Sequence, residues 1–137
     1  MIISGLFLKA NEIRVVTLEG ERASHLLIAP KVTKFSLLKN PTQAEVVVFH
    51  TNLNAYLQHH RVDKVVINRR ATTGQGAGGA GTFLMEGVIL ATCPCEVEFV
   101  HPATMRATDK RHSELKNGRP ATVDLGKAYD LAFECLS

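Results

Sequence analysis

The segment that most constrains the fold is RVDKVVINRR, residues 61–70, because its apolar centre does not alternate with polar residues. Val65, Val66 and Ile67 follow one another directly, which is typical of a strand that is buried on both faces. Such a strand lies inside a sheet that helices cover, so we predict a central or parallel position for it. The 137 residues of the chain are enough for one domain of this layered kind.

Three further strands are predicted before this segment, in an antiparallel arrangement. Residues 2–8 are apolar, and the turn KANE separates them from a second apolar run at 13–20. Asn11 tolerates a positive φ, so we expect it to form the tight turn of a β-hairpin. The segment 22–29 then follows as a third strand, and residues 30–40 form a connection whose structure the pattern leaves open.

The first predicted helix begins in the segment NPTQ. Asn40 is the expected N-cap, Pro41 the first helical residue and Gln43 the partner in a capping box. From there apolar residues recur at spacings of three and four, which predicts an amphipathic helix that ends near His60.

Two more helices, one more strand and a polar segment complete the predicted order. Residues 82–93 predict a helix that follows the glycine-rich segment 71–81. The expected apolar side of this helix consists of Phe83, Leu84, Val88 and Ala91. Residues 95–100 alternate like a half-exposed strand, residues 101–120 predict a short helix with a loop, and residues 121–137 predict a helix that packs on the core.

The resulting order, β-β-β-α-β-α-β-α, predicts a single α/β domain over residues 1–137. Three antiparallel strands followed by βαβ crossovers give one mixed five-stranded sheet that helices flank. No apolar run approaches the ~20 residues of a membrane span. The opening MIISGLFLKA lacks the features of a secretory signal, so we expect a cytoplasmic protein.

This order resembles the ribonuclease H-like arrangement, in the form found in RuvC-type Holliday junction resolvases. The segments that carry the resemblance are MIISGLFLKANE, VDKVVINRRATTGQGAGGAGTFLMEGVI and EVEFVHPATMRA. The sequence is also similar to a small bacterial family known as a domain of unknown function. Together with the last helix, the resemblance covers most of the chain and implies the ribonuclease H-like fold.

The resemblance also implies where catalytic residues are expected. Nucleases of this superfamily use carboxylates from the first strand, the end of the fourth strand and the last helix to hold two divalent ions roughly 4 Å apart. The first two positions fall on Phe7 and Asn68, and the third falls on Asp130 or, less well, on Asp124. Since Phe7 cannot bind a cation and Asn68 offers one neutral oxygen, the resemblance implies that no paired-metal site forms.

Two groups of basic residues are candidates for binding nucleic acid or another phosphate-bearing ligand. The first lies at the expected C-terminal edge of the sheet and consists of Lys9, Arg69 and Arg70. The second lies before the last helix and consists of Lys110, Arg111, Lys116 and Arg119. The net charge of +3 permits such binding without establishing it, and a solvated surface is the alternative interpretation.

Three functions remain open on this basis. The first is a non-catalytic module, a pseudo-nuclease, that binds nucleic acid or a phosphate ligand and needs no cofactor. The second is a nuclease that uses magnesium or manganese in a rearranged site, for which the candidate acids are Asp130, Asp124, Glu12 and Glu86. The third is a structural module that docks another protein. Because related resolvases pair, the resemblance implies a homodimer.

The glycines and cysteines favour structural roles. The segment GQGAGGAG does not match a phosphate-binding loop, since no Lys-Ser or Lys-Thr follows it. Cys93 and Cys95 are one residue apart, and no second pair completes a zinc site, so we expect them to end a helix and open a strand. With Cys135 the cysteines are three in number, which argues against a disulfide framework.

Overall fold

The computed structural model describes residues 1–70 and 79–137, which form one mixed β-sheet between two layers of helices. The strands are β1 (Ile2–Lys9), β2 (Glu12–Glu21), β3 (Ser24–Ile28), β4 (Lys34–Ser36), β5 (Lys64–Asn68) and β6 (Glu96–Val100). The helices are α1 (Gln43–His59), α2 (Ala80–Thr92), α3 (Pro102–His112) and α4 (Val123–Glu134). The glycine-rich segment predicted at 71–81 lies mostly outside the described residues.

The order of the strands in the sheet confirms the predicted topology. The sheet runs β3-β2-β1-β5-β6, with β1, β2 and β3 antiparallel and β5 parallel to both of its neighbours. The apolar centre of β5, Val65 to Ile67, is fully buried, as its lack of alternation predicted. A sixth strand, β4, pairs with the start of β2 and joins the five that the sequence predicted.

The helices cover the two faces of the sheet with separate hydrophobic cores. Phe49 and Leu53 of α1 and Met85 of α2 lie in the core on one face. Tyr129 and Phe133 of α4 lie in the core on the other face, and both are completely buried. Burying side chains of this size stabilises the fold by roughly 1.5–3 kcal/mol each. No helix in the described part of the chain is long and apolar enough to cross a membrane.

The close approach of α4 to β1 depends on Gly5. A Cβ atom at this position would lie 1.9 Å from the carbonyl oxygen of Ala128 and 2.7 Å from the amide nitrogen of Ala132. Both are backbone atoms, so any side chain at position 5 would push the helix off the strand. The glycine therefore sets the height of α4 above the sheet and, with it, the position of Asp130.

The turn between β1 and β2 forms as predicted, but the prediction was wrong about which residue takes the positive φ. The hairpin between β1 and β2 has its positive φ (55°) at Ala10 and not at Asn11. The Asn11 side chain instead packs against Gly81, where a Cβ would lie 1.9 Å from its Oδ1 atom. Contacts from α2 thus hold the turn: the Thr82 hydroxyl donates a 2.9 Å hydrogen bond to the Ala10 carbonyl.

The N-cap of α1 is Thr42, two residues after the predicted Asn40. The Thr42 hydroxyl accepts a hydrogen bond from the Glu45 N–H, and the Glu45 carboxylate accepts one from the Thr42 N–H, at 3.2 and 2.9 Å. This pairing is a complete capping box with Glu45 at its third helical position, so Gln43 becomes the first residue of the helix. Asn40 lies outside the helix with a φ of 51°.

The buried side of α2 also differs from the prediction. Thr82, Met85 and Ile89 face the core, whereas the four residues predicted to do so line an open groove beside α1, and of these Val88 also packs against the core. The helix is apolar around most of its circumference, so residue spacing alone did not determine which side the sheet would bury.

Candidate functional site

A cleft of about 630 Å³ lies at the C-terminal ends of the parallel strands, between the sheet, α3 and α4. Its lining residues come from the two inner strands and the residues after them (Phe7, Asn68, Arg69, Arg70), from the start and body of α3 (His101, Pro102, Met105, Arg106, Asp109) and from α4 (Lys127, Asp130). Ligands of open α/β sheets bind at this edge, where loops and helix starts converge.

The local sequence explains why α3 begins beside the cleft. Pro102 occupies the first helical position, where its missing N–H costs nothing. The His101 ring caps the helix by accepting a 3.1 Å hydrogen bond at Nδ1 from the Ala103 N–H. The helix therefore starts directly after β6 and directs Met105, Arg106 and Asp109 toward the cleft.

The three positions that the resemblance assigned to catalysis do come together here, because Phe7, Asn68 and Asp130 all line the cleft. Asn68 is only 6% exposed, and its side-chain oxygen accepts a 3.1 Å hydrogen bond from the Leu8 N–H. This bond ties β5 to β1 and occupies one of the two lone pairs of that neutral oxygen. Phe7 contributes an aromatic ring, over which Lys127 Nζ lies 5.0 Å from the centroid.

Two basic side chains already neutralise Asp130. Arg119 holds both carboxylate oxygens in a bidentate pair, with Nε to Oδ1 and Nη2 to Oδ2 at 2.9 Å each. Lys116 Nζ lies 2.8 Å from Oδ1. Burial would raise the pKa of Asp130, but the hydrogen bonds and charges of Arg119 and Lys116 outweigh burial and hold the pKa below its ordinary value.

The Lys116 ammonium also bridges Asp130 to a second carboxylate, Asp109. Its side chain is 4% exposed, so this cation is almost entirely enclosed by the two acids and by Phe133, whose ring centroid lies 5.2 Å away. Arg119 reaches Asp130 by passing over Gly126, where a Cβ would lie 2.8 Å from its guanidinium. The loop before α4 thus delivers two cations to one buried acid.

Three other basic residues of the cleft have no carboxylate partner in the part of the chain that the structure describes. Arg106 and Lys127 are exposed, and neither of them nor Arg69 forms a salt bridge with any residue in the described ranges 1–70 and 79–137. The Arg69 guanidinium lies 3.9 Å from the Phe99 ring centroid, a distance that suits a cation–π contact. Together they make this side of the cleft positive and open to solvent.

Arg70 is basic but not open in this way. Its side chain is 9% exposed and pairs with Glu86 of α2 at 3.1 Å, so neither charge is uncompensated. Burial lowers the pKa of Arg70 despite the attraction of Glu86. Its Nε and Nη1 atoms have no hydrogen-bond partner within the described parts of the chain.

The remaining predicted residues lie apart from the centre of the cleft. Lys9 pairs with Asp124 at 3.6 Å, and Glu12, the cross-strand partner of Lys9 beside the hairpin turn, pairs with Arg14 at 3.3 Å. Lys110 and Arg111 are exposed in the last turn of α3. Of the seven predicted basic residues, Lys116 and Arg119 therefore form salt bridges with Asp130, and Arg69 and Arg70 line the cleft.

Sequence reasoning missed Arg106, Asp109 and Lys127 as residues of the site. The one signal available was spacing: Lys127 and Asp130 are three residues apart on a helix and so share a face. Nothing in the sequence indicated that α3 would lie against the same cleft, since its polar residues look like those of any solvated helix.

The residues at this site do not fit a pair of divalent ions. Of the three positions, one has no donor atom, one has an oxygen engaged with the backbone, and one has a carboxylate bound by two cations. Within residues 1–70 and 79–137 no group of three or more His, Cys, Asp or Glu side chains is arranged to hold a metal ion.

Comparison with solved structures supports the ribonuclease H-like, RuvC-type fold. Thermus thermophilus RuvC in complex with a Holliday junction substrate superposes with a TM-score of 0.70 at 13% identity, covering 98% of this chain and 91% of that one. A second Thermus thermophilus RuvC structure gives 0.68 at 14% identity, over 98% and 92% of the two chains. The Fowlpox virus resolvase, in complex with Holliday junction DNA, gives 0.53 at 11% identity over 98% and 97%.

Sequence comparison points to one family. None of the curated protein sequences matches this chain. The model of the family described as "Protein of unknown function (DUF3010)" matches residues 1–135, which is nearly the whole chain. The chain therefore belongs to the DUF3010 family and has the fold of RuvC-type resolvases.

Proposed function

We propose that this protein binds the phosphate groups of structured nucleic acid in the cleft and does not cleave them with paired metal ions. The observation that carries the proposal is the division of charge in the cleft. Asp130 is neutralised by Arg119 and Lys116, whereas Arg106 and Lys127 are exposed without a salt bridge in the described residues. A cytoplasmic location is part of the same proposal.

The physical basis is the attraction of unpaired cations to a polyanion. Each lysine or arginine that contacts a phosphate releases counterions, so binding of this kind weakens steeply as salt rises. The Phe7 ring beneath Lys127 offers an apolar floor and no negative charge that would repel a phosphate. Two of the structural neighbours were solved with Holliday junctions, which supports branched DNA as the first ligand to test.

A mobility-shift experiment on a four-way junction and on a matched duplex, over rising salt, tests this proposal. We expect a shift at low salt that disappears at high salt, and a weaker shift for the double variant Arg106→Met, Lys127→Met. The control is Lys31→Met, Arg61→Met, which removes the same charge from two exposed positions outside the cleft. No shift at low salt, or equal weakening by both double variants, would eliminate the proposal.

A metal-dependent nuclease is the second candidate, because Asp109 and Asp130 both line the cleft. Labelled junctions incubated with magnesium or manganese decide between the two. The nuclease requires cleavage that Asp109→Asn abolishes, or that Asp130→Asn abolishes under conditions in which circular dichroism shows this variant to be folded. Absence of cleavage, or cleavage that neither variant changes, excludes it in favour of binding alone.

We also propose that the chain forms a homodimer through the groove between α1 and α2. This groove is lined by apolar side chains, and Val47 and Leu84 on its two walls are 48% and 38% exposed. Covering such a surface with a second copy would remove it from water. Light scattering should give twice the monomer mass, and Val47→Asp should restore the monomer. A monomer at all concentrations would rule out the homodimer. The groove would then be a candidate surface for docking a different protein, which a pull-down tests.

A further inference from the structure

Cys93 and Cys95 form a pair of thiols between α2 and β6, at the opposite end of β6 from the cleft. Their sulfur atoms are 3.7 Å apart, and both side chains are free and half-buried against the core beneath α1 and α2. Cys93 is the C-cap of α2, with a φ of −61° and a ψ of 131°. Pro94 favours this extended conformation of the residue before it, so the helix ends here.

We infer that Cys93 and Cys95 are a redox-active dithiol that a low-molecular-weight disulfide, such as oxidised glutathione, converts to an intramolecular disulfide bond. The sulfur atoms need to close from 3.7 Å to about 2.05 Å, the length of a disulfide bond. The end of α2 is held in place meanwhile, because Asn54 of α1 donates a 3.0 Å hydrogen bond to the Thr92 carbonyl.

The two thiols differ in a way that assigns their roles. A hydrogen bond from the Cys95 thiol lowers the pKa of Cys93 to about 7, although burial opposes this shift. The same contact, together with burial, raises the pKa of Cys95. Either sulfur can donate in the 3.7 Å contact, so this contact favours one thiolate in the pair. We place the attacking thiolate on Cys93 and the thiol that completes the bond on Cys95.

The exchange proceeds in two balanced steps. The Cys93 thiolate attacks one sulfur of oxidised glutathione, which forms a mixed disulfide and expels one glutathione thiolate. Cys95 then gives its proton to solvent, and its sulfur attacks Cys93 Sγ and expels the second glutathione thiolate. Two protein thiols lose two electrons, and one glutathione disulfide gains them as it becomes two thiols.

Cys135 provides a built-in control in the same chain. It packs against the core on the opposite face of the sheet, and its thiol donates a 3.0 Å hydrogen bond to Glu98. Burial, together with this bond to Glu98, raises its pKa to about 12, so it is a poor nucleophile at neutral pH. Cys135→Ala should therefore behave as the wild type does in thiol exchange.

The test is incubation of the full chain with oxidised glutathione at pH 7, then alkylation under native conditions and mass spectrometry of the intact protein and its peptides. We expect the wild type and Cys135→Ala to lose two hydrogens, with positions 93 and 95 protected until a reductant is added. Cys95→Ala should retain a glutathione adduct on Cys93. Without its hydrogen-bond donor, its Cys93 should also be alkylated about fivefold more slowly at pH 7 than in the reduced wild type.

Two results would overturn the inference. One is a wild-type chain whose Cys93 and Cys95 both remain free to alkylation after the exchange. The other is a wild-type chain that keeps a stable glutathione adduct, as Cys95→Ala is expected to do, because the two sulfurs then do not reach each other.

Discussion

Two groups of basic residues lie at the cleft, and they differ in whether their charges are compensated. Arg119 and Lys116 enclose the cleft residue Asp130, and the Lys116 side chain is 4% exposed. Arg106 and Lys127 line the cleft, are exposed and form no salt bridge with the described residues. We call the first group the paired side and the second group the open side of the cleft.

We expect the paired side to contribute to the stability of the fold and the open side to contribute to ligand binding. A buried charge whose partner is removed costs several kilocalories per mole, because the remaining charge has lost both water and its counter-charge. An exposed charge costs almost nothing to remove, since water solvates it in either state of the chain. Variants on the paired side should therefore change folding, and variants on the open side should change ligand affinity.

The largest expected effect is that of Asp130→Asn on the paired side. Lys116 then stays buried with only Asp109 as a counter-charge, and Arg119 loses its bidentate partner. The free energy of unfolding, measured by urea denaturation at pH 7, should fall by about 3 kcal/mol. Asp109→Asn is the matched control: the Asp109 side chain is 48% exposed, so its loss should be under about 1 kcal/mol. Equal losses for both variants would contradict the assignment of a paired side.

The pH dependence of unfolding should show the same difference at smaller scale. The pKa of Asp130 is lowered in the folded chain, so its contribution is present above its unfolded pKa and is lost as pH falls through the folded pKa. The wild type should therefore lose more stability than Asp130→Asn between about pH 5 and pH 2. Midpoints of urea denaturation across this range measure the effect. If the midpoints of the wild type and of Asp130→Asn fell in parallel, Asp130 would not have the lowered pKa on which the paired side depends.

On the open side, Lys127→Met should weaken DNA binding by about tenfold at low salt, the loss expected for one charged contact. The slope of log affinity against log salt should become shallower by about 0.9, since one phosphate contact is gone. Fluorescence anisotropy with a labelled junction gives both values. An unchanged slope would mean that Lys127 does not contact phosphate.

The smallest expected effect is that of open-side variants on stability. Arg106→Met and Lys127→Met should each leave the free energy of unfolding within about 0.5 kcal/mol of the wild type, because exposed side chains that form no salt bridge with the described residues contribute little. Urea denaturation under the same conditions checks this. A loss of 2 kcal/mol or more would show that the open side also stabilises the fold.

Much of the fold followed from local patterns in the sequence. The continuous apolar run of β5 and the alternating pattern of β6 predicted two strands. A strand buried on both faces is apolar throughout, whereas a strand buried on one face alternates between apolar and polar residues. The turn and the cap were less predictable. Ala10 takes the positive φ because Thr82 and Gly81 pack on the hairpin, and such tertiary contacts have no local signal.

The site was predictable only in part. Phe7, Asn68 and Asp130 were expected together from the resemblance, and they do line one cleft. The pairing of Asp130 with Lys116 and Arg119 was not expected, since the segment before α4 has no periodic pattern that fixes where its side chains lie. Arg106 and Lys127 looked like ordinary surface residues because exposure alone does not distinguish a binding residue from a solvated one.

A manganese titration followed by electron paramagnetic resonance tests most directly whether the cleft is built for anions and not for divalent cations. If Asp130 is already neutralised, the signal of free manganese should follow the total concentration into the millimolar range, in the wild type and in Asp109→Asn alike. A saturable loss of free signal in the wild type that Asp109→Asn weakens would contradict the account and favour a metal-dependent nuclease.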